Sequence, residues 1–191
     1  MWACVTPPPT NPDDACRIFD ERLDWYVAAR DAKEEWGVSP ALQLAIIHQE
    51  SAFRAQARPA RTRFLWIFPG PRPSSAYGYG QVVDATWERY RVRTGRIDAD
   101  RDDFADVADF IGWYGSEIRR RTNLPLADSY GFYLSYHEGP GGFLRGSFEA
   151  KPWLMSVARR VAERSARYDR QLTRCRAQLD ERARAPWWWP F

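Results

Sequence analysis

A single all-helical domain is what this sequence predicts, and three observations predict it. Apolar residues recur at three-and-four spacing through most of the chain, the pattern of a buried helical stripe. Glycines, prolines and capping side chains punctuate those runs at helix-length intervals. Strand signal is poor throughout. At 191 residues, 45% hydrophobic and 28% charged, the chain has the length and balance to bury one real core.

Residues 1–14 read as a tether: three consecutive prolines, then Asn11-Pro12-Asp13-Asp14. A first helix is expected from about Cys16 to Trp36, stopped by Gly37 in the position that ends helices. Ser39 and Pro40 then supply a cap and a first-turn residue for a helix reaching about Phe53. That helix is apolar nearly all round (Ala41, Leu42, Leu44, Ala45, Ile46, Ile47), so it belongs at the centre of the domain. Residues 54–83 are too rich in proline and glycine for regular structure. Within them, Phe64 to Phe68 reads as a packed loop, a short strand or an exposed lip.

Asp84 is expected to cap a helix to about Thr94, closed by Gly95. Asp102 or Asp103 caps the next, whose stripe is Phe104, Val107, Ala108, Ile111, Gly115 and Ile118. Another runs from about Ala127 to His137 and is expected to end at Glu138-Gly139-Pro140-Gly141-Gly142. The last begins near Pro152 and carries Leu154, Val157, Val161, Ser165, Tyr168, Leu172, Cys175 and Leu179 on one seam. The globular body is therefore 15–180, with a Trp-rich tail at 181–191.

Composition narrows the function. No apolar run is long enough to span a membrane as a helix. With two His, no HExxH and no paired CxxC, no metal site is expected. There is no GxSxG and no phosphate-binding loop, and no cofactor is implied. The net charge is +3, yet residues 151–191 hold ten Arg/Lys against four Asp/Glu. Such a segment suits nucleic acid, anionic lipid or an acidic polymer, and equally a solvated helix face. Ten Trp exceed what a core of this size usually needs; composition alone favours core packing plus an unusual C-terminus, and the excess also suits a carbohydrate groove, whose sugar rings stack on aromatic faces.

Glu50 is the most informative residue. It shares a helical stripe with Leu42, Ile46, Ile47 and Phe53, and it lies in the last turn. Burial and the negative end of the helix dipole both raise a carboxyl pKa there. An acid still protonated near neutrality is what glycosidic cleavage needs at the leaving oxygen.

Glu50-Ser51-Ala52-Phe53 resembles the Glu-Ser-x-Phe motif of the lytic transglycosylase and goose-type lysozyme superfamily. Ser75-Ala76-Tyr77-Gly78-Tyr79-Gly80-Gln81 resembles that family's glycine-containing turn ending in Gln, and Tyr136-His137-Glu138-Gly139 resembles its Tyr-Asn-x-Gly. The three stand in family order across about residues 38–170. The resemblance implies a lysozyme-like helical domain acting on peptidoglycan, with an irregular loop insertion. It implies Glu50 as catalytic acid and base, Ser51 orienting it and touching substrate, and Gln81 bonding the glycan. Tyr136 would fix Glu50. By residue type alone, Tyr77 and Tyr79 suit stacking on sugars and, equally, packing of the turn itself. His137 stands where the family has Asn, and segment 57–76 is longer and more apolar than usual.

No carboxylate among Asp84, Asp102, Asp103 and Glu138 is placed opposite Glu50 by sequence. That favours a lyase, in which the muramic C6 hydroxyl attacks C1 and leaves a 1,6-anhydro end, over a lysozyme-type hydrolase. A non-catalytic peptidoglycan-binding module is the other reading, and a nucleic-acid partner is not expected. Met1-Trp2-Ala3-Cys4 resembles the end of a lipoprotein signal with Cys4 as lipid acceptor, which implies a membrane-tethered protein of the bacterial periplasm. Cys16 and Cys175 would then be left to pair, joining the first and last helices.

Overall fold

The computed structural model describes residues 6–60, 63–64, 68–69 and 74–184. Among them are seven helices: α1 (Ala15–Glu21), α2 (Leu23–Trp36), α3 (Pro40–Ser51), α4 (Asp84–Thr94), α5 (Phe104–Thr122), α6 (Ser129–Leu144) and α7 (Pro152–Arg184). The loop between α3 and α4 holds two short antiparallel strands, β1 (Arg63–Phe64) and β2 (Phe68–Pro69), with Phe64 opposite Phe68. The fold is all-α. Cys4 and the Trp187–Trp189 run lie outside the described residues.

α3 is the centre. The Ser39 hydroxyl accepts from the Leu42 N–H and Pro40 opens the first turn, so the helix starts where the chain turns inward. Leu44, Ala45, Ile46 and Ile47 are fully buried, and the helix packs against α2, α5 and α7. Its one buried amide, Gln43, donates to the carbonyls of Ala29 and Val38, tying α3 to α2 and its exit turn. α2 lies along α5, and α6 is clasped between α5 and α7. Aromatic packing closes the other end of the core: Trp25 stacks flat on Phe104 at 4.2 Å, and Tyr90, Phe110 and Trp113 pack ring on ring.

Two helix boundaries differ from expectation. The span 16–36 is broken at Arg22 (φ −136°, ψ 75°). The Arg22 N–H still caps α1 through the Ile18 carbonyl while its own carbonyl starts α2. The bend lets Phe19 and Tyr26 meet edge to face at 5.3 Å with both buried. Val83, not Asp84, is the cap of α4; Asp84 lies in its first turn, where the dipole favours an acid, and pairs with Arg101 at 2.7 Å. The Glu138–Gly142 stretch ends the first helical run of α6, as expected. Gly139 alone leaves helical geometry (φ 72°, ψ 157°), a conformation open to glycine, and Pro140 restarts the helix because its missing N–H is not needed there.

The 33-residue α7 closes the fold. Cys16 and Cys175 form a disulfide between α1 and α7, with Cα atoms 6.0 Å apart. Beside it the Ala15 N–H donates to Gln171 Oε1 at 2.9 Å, the Tyr168 hydroxyl donates to the Pro12 carbonyl, and Asp13 pairs with Arg164 and Arg167.

Candidate active site

The end of α3 sets the site. Ala52 (φ 51°) and Phe53 (φ 60°) are consecutive left-handed residues without the excuse of glycine. Such backbone costs of order 1–3 kcal/mol per residue and persists where packing imposes it. The packing is that of Phe53, which is fully buried against Trp25 and the His48 ring. The turn leaves Glu50 on the last turn of the helix, its carboxyl facing a groove of about 630 Å³.

Glu50 is half-buried, and Oε1 accepts from the Tyr133 hydroxyl at 2.7 Å. Among the described residues no cation pairs with it. Burial pushes its carboxyl up to about 7, while the Tyr133 hydrogen bond pulls the other way. The group is therefore poised to hold a proton near neutrality and to release it.

α6 supplies one wall of the groove through Tyr136, His137, Glu138 and Gly139; α5 adds Phe110 and Tyr114. The opposite wall runs through Ala76, Gln81 and Val82 to Thr86 on α4. Tyr136 joins the walls by donating from its hydroxyl to the Gly80 carbonyl at 2.8 Å. A Cβ on Gly80 would stand 3.0 Å from that hydroxyl, so glycine permits the approach. Gln81 (φ 49°) donates both hydrogens of Nε2, to the Ala57 and Gly78 carbonyls at 2.9 Å each, which leaves Oε1 to accept from a ligand.

Gln81, Tyr136 and His137 thus line the groove with Glu50, and the other expected contacts do not. Tyr79 is in the core, packed edge-on against Trp25 and Phe104, because the turn folds its ring under the Gly78–Gly80 backbone. Tyr77 donates to Asp102 at 2.8 Å, with the Arg58 guanidinium 4.2 Å over its ring, and does not line the groove. Ser51 is buried and does not reach the groove: one position on from Glu50 it turns about 100° around the helix and donates to the Ile47 carbonyl at 3.0 Å. Its contribution is to hold the last turn. The residue that bonds Glu50 is Tyr133, one turn before Tyr136; Tyr136 stacks on Tyr133 at 6.4 Å. Sequence reasoning missed Tyr133, although its i, i−3 relation to Tyr136 placed it on the same face.

Each candidate for a second carboxylate is engaged. Asp84 pairs with Arg101, Asp102 accepts from Tyr77, and Asp103 caps α5 through the Asp106 N–H. Glu138 alone of these lines the groove. Lys151 holds both its oxygens at 2.8 and 2.9 Å, and Ser147 and His137 add bonds. Lys151 and then Ser147 bring its carboxyl down to about 2, so it is ionised, fully bonded and a poor base.

A family model for the transglycosylase SLT domain matches residues 1–175. No curated protein and no solved structure matches the chain. The family match spans nearly the whole helical body and contains Glu50, Gln81, Tyr133 and Tyr136. A groove with one unpaired, proton-holding carboxylate at the end of a buried helix sits inside that match, and the chain belongs to the transglycosylase SLT-domain family of peptidoglycan-cleaving enzymes.

Proposed function

We propose that the protein is a lytic transglycosylase that cleaves the MurNAc–GlcNAc bond of peptidoglycan with Glu50 as its only acid/base. The observation that carries this reading is the pairing of one carboxyl raised to about 7 with a second groove carboxylate, Glu138, locked by Lys151. Protonated Glu50 gives its proton to the bridging oxygen as the C1–O bond breaks. The carboxylate so formed takes the proton of the muramic C6 hydroxyl as O6 bonds to C1. One C–O bond breaks, one forms, the proton moves from O6 to the leaving oxygen, and no water is consumed. The attack is intramolecular, so high effective molarity replaces the ordered water that a second carboxylate activates in a hydrolase. Tyr133 steadies the carboxylate between the two proton transfers. Gln81 Oε1 and the Gly78–Gly80 backbone are suited to hold the sugar.

The test is mass spectrometry of soluble muropeptides released from sacculi by the wild type and by Glu50→Gln. Glu50-dependent 1,6-anhydro ends are expected. Reducing ends would make the enzyme a hydrolase. Binding of sacculi without any product would make it a docking module.

The residues Met1 to Cys4 support a lipid-tethered periplasmic protein, and so does the Cys16–Cys175 disulfide, which persists in oxidising compartments. Loss of membrane fractionation in Cys4→Ser tests the tether, and unchanged fractionation removes it.

A further inference from the structure

His137, at the edge of the groove, is also in contact with the start of α7. Trp153, in the first turn of that helix, is 57% exposed, and its ring meets the edge of His137 at 5.3 Å. Its open face is the kind of aromatic surface on which a sugar ring can stack. The ring is also firmly placed. Lys151, just before α7, is anchored to Glu138 at 2.8 Å, so the start of the helix is fixed to the groove wall.

Arg160 lies two turns further along α7 on the same face as Trp153, about 10 Å up the helix axis. It is exposed, and among the described residues no carboxylate pairs with it. Its neighbours Arg164 and Arg167 are paired with Asp13. α6 and α7 pack side by side, with His137 against Trp153. On α6, His137 follows Tyr133 by one turn. The α7 pair Trp153 and Arg160 therefore runs alongside the α6 pair His137 and Tyr133, with an aromatic platform at one end and an unneutralised cation at the other.

We propose that this face of α7 is a subsite for a muramic residue that still carries its peptide stem, Trp153 taking the apolar face of the sugar and Arg160 a carboxylate of the stem. The assignment rests on the groove being a glycan site. It makes the enzyme prefer stem-bearing strands to strands stripped of peptide.

The experiment measures binding of the Glu50→Gln protein, alone and with Trp153→Ala or Arg160→Gln, to glycan strands of equal length. One set keeps its stems; the other has had them removed by an amidase. Trp153→Ala is expected to weaken binding to both by about tenfold, and Trp153→Phe to restore most of it. Arg160→Gln is expected to weaken binding about two- to fivefold for stem-bearing strands alone, with the loss vanishing at high salt. Both side chains are exposed, and unchanged melting confirms that the variants fold. Parent-like binding by Trp153→Ala, or an equal loss on both strand types in Arg160→Gln, overturns the subsite. Turnover of sacculi by the wild type is read in parallel. Products without this binding pattern overturn the subsite alone, and the pattern without products overturns the lyase. A Glu50→Gln protein that binds neither strand overturns both.

Discussion

Replacing Glu50 with Gln should stabilise the protein, by an amount that grows as pH rises above 4.5 and is complete above about 7. In the unfolded chain this carboxyl titrates at its ordinary 4.5; in the folded protein burial holds it up to about 7. Below pH 4.5 it is protonated in both states and contributes no difference. Between the two values the folded state keeps a proton that the unfolded state has lost, so stability falls as pH rises. Above about 7 the penalty is complete. At about 1.4 kcal/mol per pH unit, the displacement from 4.5 to about 7 amounts to about 3 kcal/mol. Gln is nearly isosteric, cannot ionise, and its Oε1 can still accept from Tyr133. Urea unfolding of both proteins, disulfide intact, at pH 4 and pH 8.5 reads the effect. The variant should match the wild type at the lower pH and exceed it by about 3 kcal/mol at the higher. An equal gap at both pH values, or a less stable variant at pH 8.5, would refute the reasoning that burial is what raises this carboxyl.

The same chemistry predicts the pH dependence of turnover. Activity should fall as pH rises through about 7, when Glu50 loses its proton; Tyr133→Phe removes a bond that favours the carboxylate, so the alkaline limb should move up by roughly one pH unit. A limb that stays in place would show that Tyr133 does not act on the catalytic proton. Cys16→Ser should cost roughly 5 kcal/mol on the chain-entropy model for a sequence separation of 159, measured by denaturation under non-reducing conditions. Gly78→Ala should cost about 2 kcal/mol or more and depress activity, because its Cβ would lie 1.9 Å from the Arg101 carbonyl at φ +79°. Gly95→Ala, at φ +74° with nothing within 4 Å, isolates the backbone cost, and a loss equal to that of Gly78→Ala would show that the clash is relieved.

The helices and the central place of α3 were legible because burial writes itself as apolar periodicity, and Ser39-Pro40 marks a start by local chemistry alone. The break at Arg22 was not, since it answers to the meeting of Phe19 and Tyr26 and not to any breaker residue. Gly139-Pro140 was legible by the same local chemistry as Ser39-Pro40: the first helical run stops at Gly139 and a second, short one starts at Pro140 and reaches Leu144. At the site, Glu50 and Gln81 stood out by motif. Tyr77 and Tyr79 were indistinguishable in sequence from sugar-stacking tyrosines, and only the fold of the Gly78–Gly80 turn sends one into the core and the other to Asp102. Tyr133 carries no motif at all. Its value comes from α6 crossing the end of α3, a tertiary fact.

The strap at residues 12–16 has a mechanical meaning. Tension applied to the polypeptide ahead of α1 would not peel that helix away turn by turn. It would pass through the Cys16–Cys175 bond, and through the Asp13 and Pro12 contacts, into α7. The load would then enter α7 and pass to α3 and α6 through many contacts loaded together in shear. A catalytic unit working against a stretched, covalently continuous polymer would keep the geometry around Glu50 undisturbed while its mooring is pulled.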